Sequence, residues 1–122
     1  MTNIPSIQVR PVGIVHREND HQRVEVYPEY EEGLLRIEQA EKLQILYWMH
    51  ELSEGQRRIL SAHPRGDRTR LERGVFALRS PMRPNPIGST VADLIEVDGR
   101  SLRLKGLDAF DGSPVVDIKI TS

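Results

Sequence analysis

The chain has 122 residues, of which 38% are hydrophobic and 29% are charged, and its formal net charge is −1. A chain of this length can bury one substantial core but not two, so we expect a single domain over residues 1–122. Cysteine is absent, which excludes a disulfide framework and a thiolate metal site, and we expect no metal. No apolar run approaches the roughly 18 residues that a membrane span needs, and the N-terminus has no signal-peptide core, so we expect a cytoplasmic protein without a membrane partner.

The charges are unevenly distributed along the chain. Residues 18–54 carry ten acids and three bases, whereas residues 57–83 carry eight arginines and two acids. A local positive field attracts phosphate even when the whole molecule is nearly neutral. The alternative, which the sequence leaves equally open, is a solvated surface whose arginines pair with the acidic segment.

Three elements are predicted in the first part of the chain. Residues 7–17 (IQVRPVGIVHR) read as a first strand with a break at 11–13, typical of a bulge or a sheet edge. Residues 22–30 alternate well enough to be the hairpin partner of that strand. Residues 34–43 fit a helical period over two to three turns, which predicts a short helix or helical turn.

The middle of the chain contains the most apolar stretch. Residues 42–52 (KLQILYWMHEL) predict a strand that is covered on both faces, with His50 at its end. A lone histidine in this position is more often structural than functional. A short strand is expected over 58–62, then a polar loop that is mobile or ordered by a ligand, and then a brief extended piece over 74–80.

Two stiff loops flank one long hairpin in the last third of the chain. The first loop, 79–88 (RSPMRPNPIG), carries three prolines, so it can be neither helix nor interior strand. The second, 107–114 (LDAFDGSP), precedes a last strand, PVVDIKI. Between them, 90–97 and 102–107 form a hairpin around Asp98-Gly99, which favours a two-residue turn. Such a hairpin brings both loops to the same end of the sheet.

Many short strands with closely spaced turn signals are typical of a barrel. The tally is six to eight strands and at most one short helix. The sequence therefore predicts a mainly β protein built as a small, closed or partly closed β-barrel.

At this point the motifs point to a family. The block GVFALRSPMRPNPIG followed by LDAFDGSPVVDIKI resembles the signature of the TsaA-like (TrmO) family, GVFATRSP-x-RPNPIG followed by LDxxDGTPxxDIKPY. PVGIVHR, YEEGLLRIEQAEKLQILYWMHE and AHPRGD are similar to further family segments, so the resemblance covers nearly the whole chain. It implies a small β-barrel methyltransferase, usually a homodimer, that uses S-adenosylmethionine near the subunit interface. It also implies methylation of N6 of threonylcarbamoyladenosine beside the anticodon of tRNA, with the anticodon arm as the bound partner.

The resemblance also implies a set of site residues. The cofactor site that it implies is made of the strand end, one arginine, one serine and the aspartate loop: Met49, His50, Glu51, Arg79, Ser89, Asp111, Gly112, Ser113, Pro114 and Val115. On chemical grounds we add Arg83 and Asn85 for substrate, together with Arg65 from the basic segment.

The chemistry of methyl transfer requires few groups. The acceptor nitrogen is urea-like and must lose a proton, which either His50 or Asp111 can accept. Structural alternatives stand beside these roles: Arg83 and Asn85 can bond carbonyls that the prolines leave without partners, Asp111 can shape the turn before Gly112, and Tyr47 and Trp48 fit the core.

Two departures from the family pattern bear on function. The turn after the first strand (RENDHQ) is shorter than in many members, which removes one expected wall of the pocket, and the terminal PY is replaced by IT. Two alternatives to tRNA methylation therefore stay open. One is an S-adenosylmethionine-binding barrel that acts on a small molecule or as a sensor, and the other is a purely structural barrel.

Overall fold

The protein is described here by a computed structural model covering residues 3–121. Six strands form a closed antiparallel barrel: β1 Gly13–Arg17, β2 Gln22–Val26, β3 Lys42–Trp48, β6 Ile87–Asp98, β7 Ser101–Lys105 and β8 Pro114–Ile120. Around the barrel their order is β1-β2-β7-β6-β3-β8. Two further strands, β4 Ser61–Ala62 and β5 Arg73–Gly74, pair in a small separate sheet. The predicted mainly β barrel of six to eight strands is confirmed.

Helical structure is short throughout. The α-helix α1 spans Glu54–Arg57, and Ser53 caps it through a reciprocal bond with Gln56. Four 3-10 segments cover Pro28–Leu34, Ile37–Gln39, Pro64–Gly66 and Val75–Ala77. No helix in the described chain is long and apolar enough to cross a bilayer.

The barrel interior is the hydrophobic core. Inward side chains alternate along each strand, as the two-residue period of a strand requires. The fully buried ones include Val15, Val24, Leu43, Ile45, Leu102, Leu104 and Val115. Leu107 and Ala109, which belong to the second loop, are buried in the same core cluster.

The first strand is shorter than predicted. It begins at Gly13, and Ile7 and Val9 lie in an exposed segment without regular structure. Pro11 cannot donate a ladder hydrogen bond, and a Cβ at Gly13 would overlap the Glu25 carbonyl on β2. Regular pairing therefore starts where the sequence permits the close approach of the two backbones.

The prediction that β3 is covered on both faces is wrong. Leu43, Ile45 and Tyr47 point into the barrel, whereas Leu46 and Trp48 point outward and are half-buried. A barrel wall has one interior face, and no second layer covers β3 completely. The near-continuous apolar run hid this alternation.

Several predicted boundaries also differ. The short helix or helical turn expected over 34–43 is present as a 3-10 turn at Ile37–Gln39, which follows Arg36 with φ of +66°, and Lys42 and Leu43 already belong to β3. The strand expected over 58–62 is reduced to β4, because α1 and its Ser53 cap precede it. The piece expected to be extended over 74–80 turns as 3-10 helix at 75–77.

The long hairpin and the last strand are confirmed. β6 pairs with β7, and Asp98 lies opposite Ser101, so the two turn residues are Gly99 and Arg100. Gly99 has φ of +61°, a conformation that glycine adopts without a steric penalty. The turn is thus displaced by one residue from the predicted Asp98-Gly99 pair.

Candidate functional site

Three segments meet at one end of the barrel. β3 runs antiparallel to both β6 and β8, and Tyr47 lies opposite Gly88 on β6 and Val115 on β8. The chain that leaves β3 therefore meets the chain that enters β6 and the chain that enters β8. We call residues 78–88 the proline loop and residues 107–113 the aspartate loop.

Arg83 holds the proline loop together and joins it to the 3-10 turn that precedes it. Its guanidinium donates to the carbonyls of Val75 and Ser80 at 3.0 Å each and to that of Leu78 at 3.4 Å. A planar group with several donors suits this arrangement better than an ammonium group does. These are the contacts of the structural alternative for Arg83, and its role toward substrate stays a prediction.

Further contacts hold the proline loop against β3 and α1. The Met49 amide donates to the carbonyl of the buried Pro86 at 2.7 Å, and Arg57 Nε donates to the Pro84 carbonyl at 3.0 Å. The Arg57 guanidinium also lies 5.3 Å from the ring centroid of Trp48, a cation–π distance. The loop is therefore anchored at both of its later prolines.

Tyr47 connects the two loops. Its hydroxyl donates to the Asp108 carbonyl in the aspartate loop and lies 3.3 Å from Thr90 Oγ1 on β6. A Cβ at position 88 would overlap the Tyr47 ring, so glycine is required there for the ring to lie across β6. This tyrosine is both a core residue and part of the cavity wall.

The aspartate loop is attached to β1. The Arg17 amide donates to Asp111 Oδ1 at 2.8 Å, and the Arg17 guanidinium donates to the carbonyls of Leu107 and Ala109 at 3.0 and 2.7 Å. Gly112 has φ of +83°, and its amide donates to the Val15 carbonyl. Asp111 and Gly112 thus shape the turn and join it to the neighbouring strand.

The two loops face each other across a cavity of about 780 Å³. This volume lies within the range of roughly 300–1,000 Å³ that is typical of small-molecule sites. Its apolar wall comes from Met49, Leu52, Leu78, Pro81, Ile87 and Phe110, and its charged groups are Glu51, Arg79, Arg83 and Asp108. We call this space the first cleft.

The structure brings together part of the predicted set. Met49, Glu51, Arg79, Arg83, Asn85, Ser89 and Ser113 line the first cleft. The Ser89 hydroxyl accepts from Gln44 Nε2 at 3.0 Å, and Arg79 is exposed, with one contact of 3.4 Å to the Ser89 carbonyl.

The other predicted residues lie outside the lining of the first cleft. His50 is exposed in the turn after β3, between two residues that do line the cleft. Gly112 belongs to the aspartate loop, and Pro114 and Val115 begin β8. Asp111 is exposed and bonded to Arg17. Arg65 lines a different cleft. None of these positions tests the predicted roles, which stay predictions.

Some residues of the first cleft were not predicted as site residues from the sequence. Tyr47 could have been found, because it stands two positions before Met49 and so shares its face of the strand. Phe110 and Asp108 lie beside the predicted 111–115 run, but nothing in their pattern distinguishes them. Within residues 3–121 there is no group of three or more histidine, aspartate and glutamate side chains that could hold a metal ion.

Comparison with known proteins adds three findings. The family model described as "tRNA-methyltransferase O N-terminal domain" matches residues 6–121. A protein of Archaeoglobus fulgidus named "Probable S-adenosyl-L-methionine-binding protein" is 45% identical over 93% of this chain and 33% of its own length. A protein of Methanothermobacter thermautotrophicus with the same name is 39% identical over 93% of this chain and 88% of its own length.

Solved crystal structures of TrmO also align with this chain. The crystal structure of TrmO from Pseudomonas aeruginosa aligns with a TM-score of 0.73 at 26% identity, over 97% of this chain and 57% of that one. A further crystal structure of TrmO aligns with a TM-score of 0.75 at 27% identity. The chain thus spans a third of the A. fulgidus relative and a little over half of these TrmO chains.

Replacing Arg83 by lysine tests its role as a fastener of the proline loop. Lysine cannot reach three carbonyls at once, so we expect R83K to lower the free energy of unfolding by about 1–3 kcal/mol, the usual effect of losing hydrogen bonds to a charged group. Urea unfolding measures the change. R79K is the matched control, because Arg79 is exposed and makes one long contact, and we expect no change in its unfolding midpoint. Equal midpoints for R83K and the unchanged protein would contradict the assignment.

Proposed function

Because the chain belongs to the family of the tRNA-methyltransferase O N-terminal domain, we propose that it is an S-adenosylmethionine-dependent methyltransferase. We propose that it methylates N6 of threonylcarbamoyladenosine next to the anticodon of a tRNA, and that it acts in the cytoplasm. The observation that carries the proposal is the first cleft, in which the two motif-bearing loops face each other. The names of the two archaeal relatives support the cofactor, and the name of the family supports the kind of substrate.

The groups that line the first cleft fit the chemistry of S-adenosylmethionine. This molecule carries a carboxylate, an ammonium group, a ribose and an adenine around a cationic sulfur. Arg79 is an exposed cation with few protein contacts and suits the carboxylate. Glu51 and Asp108 offer carboxylates to the ammonium group or to ribose hydroxyls, while Leu78 and Phe110 offer apolar surface to the adenine.

The work of the protein in such a reaction is positioning. When bound, S-adenosylmethionine supplies the electrophilic methyl group, and the chain must hold the acceptor nitrogen in line with it. Arg83, Tyr47 and Arg57 fix the loop backbones through hydrogen bonds that a ligand does not need to replace. A preorganised wall of this kind loses little conformational entropy when the ligand binds.

The acceptor nitrogen must give up a proton, and we propose His50 as the acceptor in preference to Asp111. One oxygen of Asp111 already accepts from the Arg17 amide, and that bond holds the aspartate loop to β1. His50 is exposed and stands between Met49 and Glu51, which both line the first cleft. A neutral imidazole is also a better proton acceptor near neutral pH than a carboxylate is.

Methyl incorporation from S-adenosylmethionine into tRNA that carries threonylcarbamoyladenosine tests the proposed function. We expect R79A to weaken cofactor binding in calorimetry by 10- to 100-fold, which corresponds to about 1.4–2.7 kcal/mol for a lost charge-assisted contact. R103A removes an exposed arginine of β7 outside the first cleft and should bind as the unchanged protein does. Cofactor binding without transfer to any tRNA would favour a sensor or a small-molecule enzyme, and the absence of binding would contradict both readings.

A second variant tests the proton acceptor. We expect H50Q to lower kcat by about 100-fold, at the lower end of the usual contribution of a general base, while the Kd of the cofactor stays unchanged. A loss of kcat in D111N but not in H50Q would transfer the role to Asp111.

We extend the proposal to a homodimer. Val91 and Ile95 lie on the outer face of β6 and are 53% and 54% exposed, and the half-buried Leu46 continues the same outer face on β3. A second copy that covers this face would remove apolar surface from water. Light scattering should give twice the chain mass for the unchanged protein and a lower mass for V91E. A monomer at micromolar concentration in both cases would end this part of the proposal.

A further inference from the structure

A second cleft, of about 820 Å³, lies beside the first. Residues 78–81 line both clefts, so this part of the proline loop is a wall shared between them. The opposite side of the second cleft is formed by the segment from β4 to Arg70, which we call the arginine loop (residues 63–70). A ligand in either cleft would therefore lie against one face of the same rigid wall.

The second cleft is lined by cations and by no carboxylate. Arg65, Arg68, Arg70 and Arg79 all contribute to it. Among residues 3–121, the guanidinium groups of the three loop arginines have no ion-pair or hydrogen-bond partner. Four arginines and no carboxylate in the lining make a positive recess in a chain whose net charge is −1.

The nearby acidic groups are engaged elsewhere. Asp67 Oδ1 accepts from the amide and the hydroxyl of Thr69 at 3.0 and 2.6 Å, and these bonds lower the pKa of Asp67. Glu72 accepts from the hydroxyl of Ser61. Neither carboxylate lines the second cleft, so the charged side chains that line the cleft are all cations, and residues 63–70 carry three arginines against one aspartate.

The backbone of the arginine loop holds an uncommon conformation. Arg65 has φ of +53° and Gly66 has φ of +71°. A non-glycine residue in the left-handed region costs about 1–2 kcal/mol, and such strain concentrates at functional sites. The loop is closed by a contact of 2.9 Å between His63 Nδ1 and the Arg70 carbonyl. The arginines are thus presented from a fixed backbone.

Beneath the arginines, the second cleft has an apolar floor. Ile59, Ala62, Leu78 and Met82 are half-buried and line it. Arginine matches phosphate through paired donors, and an apolar surface suits the face of a base or a ribose. A free inorganic anion has no apolar surface that could pack against these side chains. The combination fits nucleotide units joined by phosphates.

We propose that the second cleft binds the backbone of a single-stranded RNA segment. This inference rests on the proposed function only in identifying that segment as the chain flanking the nucleotide that enters the first cleft. The shared wall at 78–81 then separates the cofactor from the flanking phosphates. Binding to the second cleft needs no cofactor, because the arginine loop does not line the first cleft.

Fluorescence anisotropy with a labelled twelve-residue oligouridylate tests the inference. We expect the double variant R68A/R70A to bind this RNA 10- to 100-fold more weakly than the unchanged protein at low salt. The slope of log K against log salt should also become shallower by about 1.4, since each phosphate contact on a single strand contributes about 0.7. R103A removes an arginine outside both clefts and should preserve affinity and slope. Cofactor titration should give the same Kd for R68A/R70A and the unchanged protein, which shows that the variant is folded.

Each other outcome would overturn the inference. Unchanged RNA affinity in R68A/R70A removes the second cleft from RNA binding. Equal losses of RNA and cofactor affinity mean that the two clefts are one site. Competition by inorganic phosphate or polyglutamate as strong as that by unlabelled oligouridylate means a general anion site. If RNA binding depends on these arginines but no tRNA is methylated, the proposed function fails and this inference stands.

Discussion

The pairing of β3 with two strands at once is the constraint on which the first cleft depends. β6 and β8 lie on either side of β3, and both run antiparallel to it. The residues that enter these two strands are therefore held at the end of the barrel where β3 finishes. Tyr47 makes the arrangement specific, because its ring fills the space above Gly88 while its hydroxyl holds the carbonyl of Asp108. One side chain thus sets the separation of the two loops.

Arginine has two distinct uses around that end of the barrel. Backbone carbonyls in or next to the two loops accept hydrogen bonds from Arg83, Arg57 and Arg17, at distances between 2.7 and 3.4 Å. Arg79 and Arg68 are left facing the clefts. Prolines create the need for the first use, since a proline-rich loop cannot satisfy its carbonyls by regular pairing. The arginines that bond carbonyls make the loops rigid, and the arginines that face the clefts give them positive charge.

The sequence predicts the meeting of the two loops because the prolines, the turn glycine and the strand periods are all local signals. It leaves open whether Arg83 bonds backbone carbonyls or contacts substrate. One of the three carbonyls that Arg83 contacts, that of Val75, belongs to a 3-10 turn at 75–77 where the sequence predicts an extended piece. The sequence analysis also fails to predict that Trp48 points outward. Its partner Arg57 lies on α1, and that helix is predicted only if the Ser53 and Gln56 capping pair is recognised. Both misses follow from short helical turns between strands, where propensity is weak and tertiary contacts decide.

The shared wall at 78–81 gives the two clefts a geometric relation that neither has alone. Under the proposed function, a methyl donor in the first cleft and an RNA strand beside the second would have to meet at one point while most of each molecule is bound elsewhere. A stiff segment with a cleft on each face suits that requirement, because it separates two binding spaces by a fixed backbone. Arg79 lines both clefts, so its positive charge can attract an anionic group in either of them. The prolines and the three carbonyl contacts of Arg83 restrict motion of this segment, and under the proposed function that rigidity would preserve the alignment of the two bound partners.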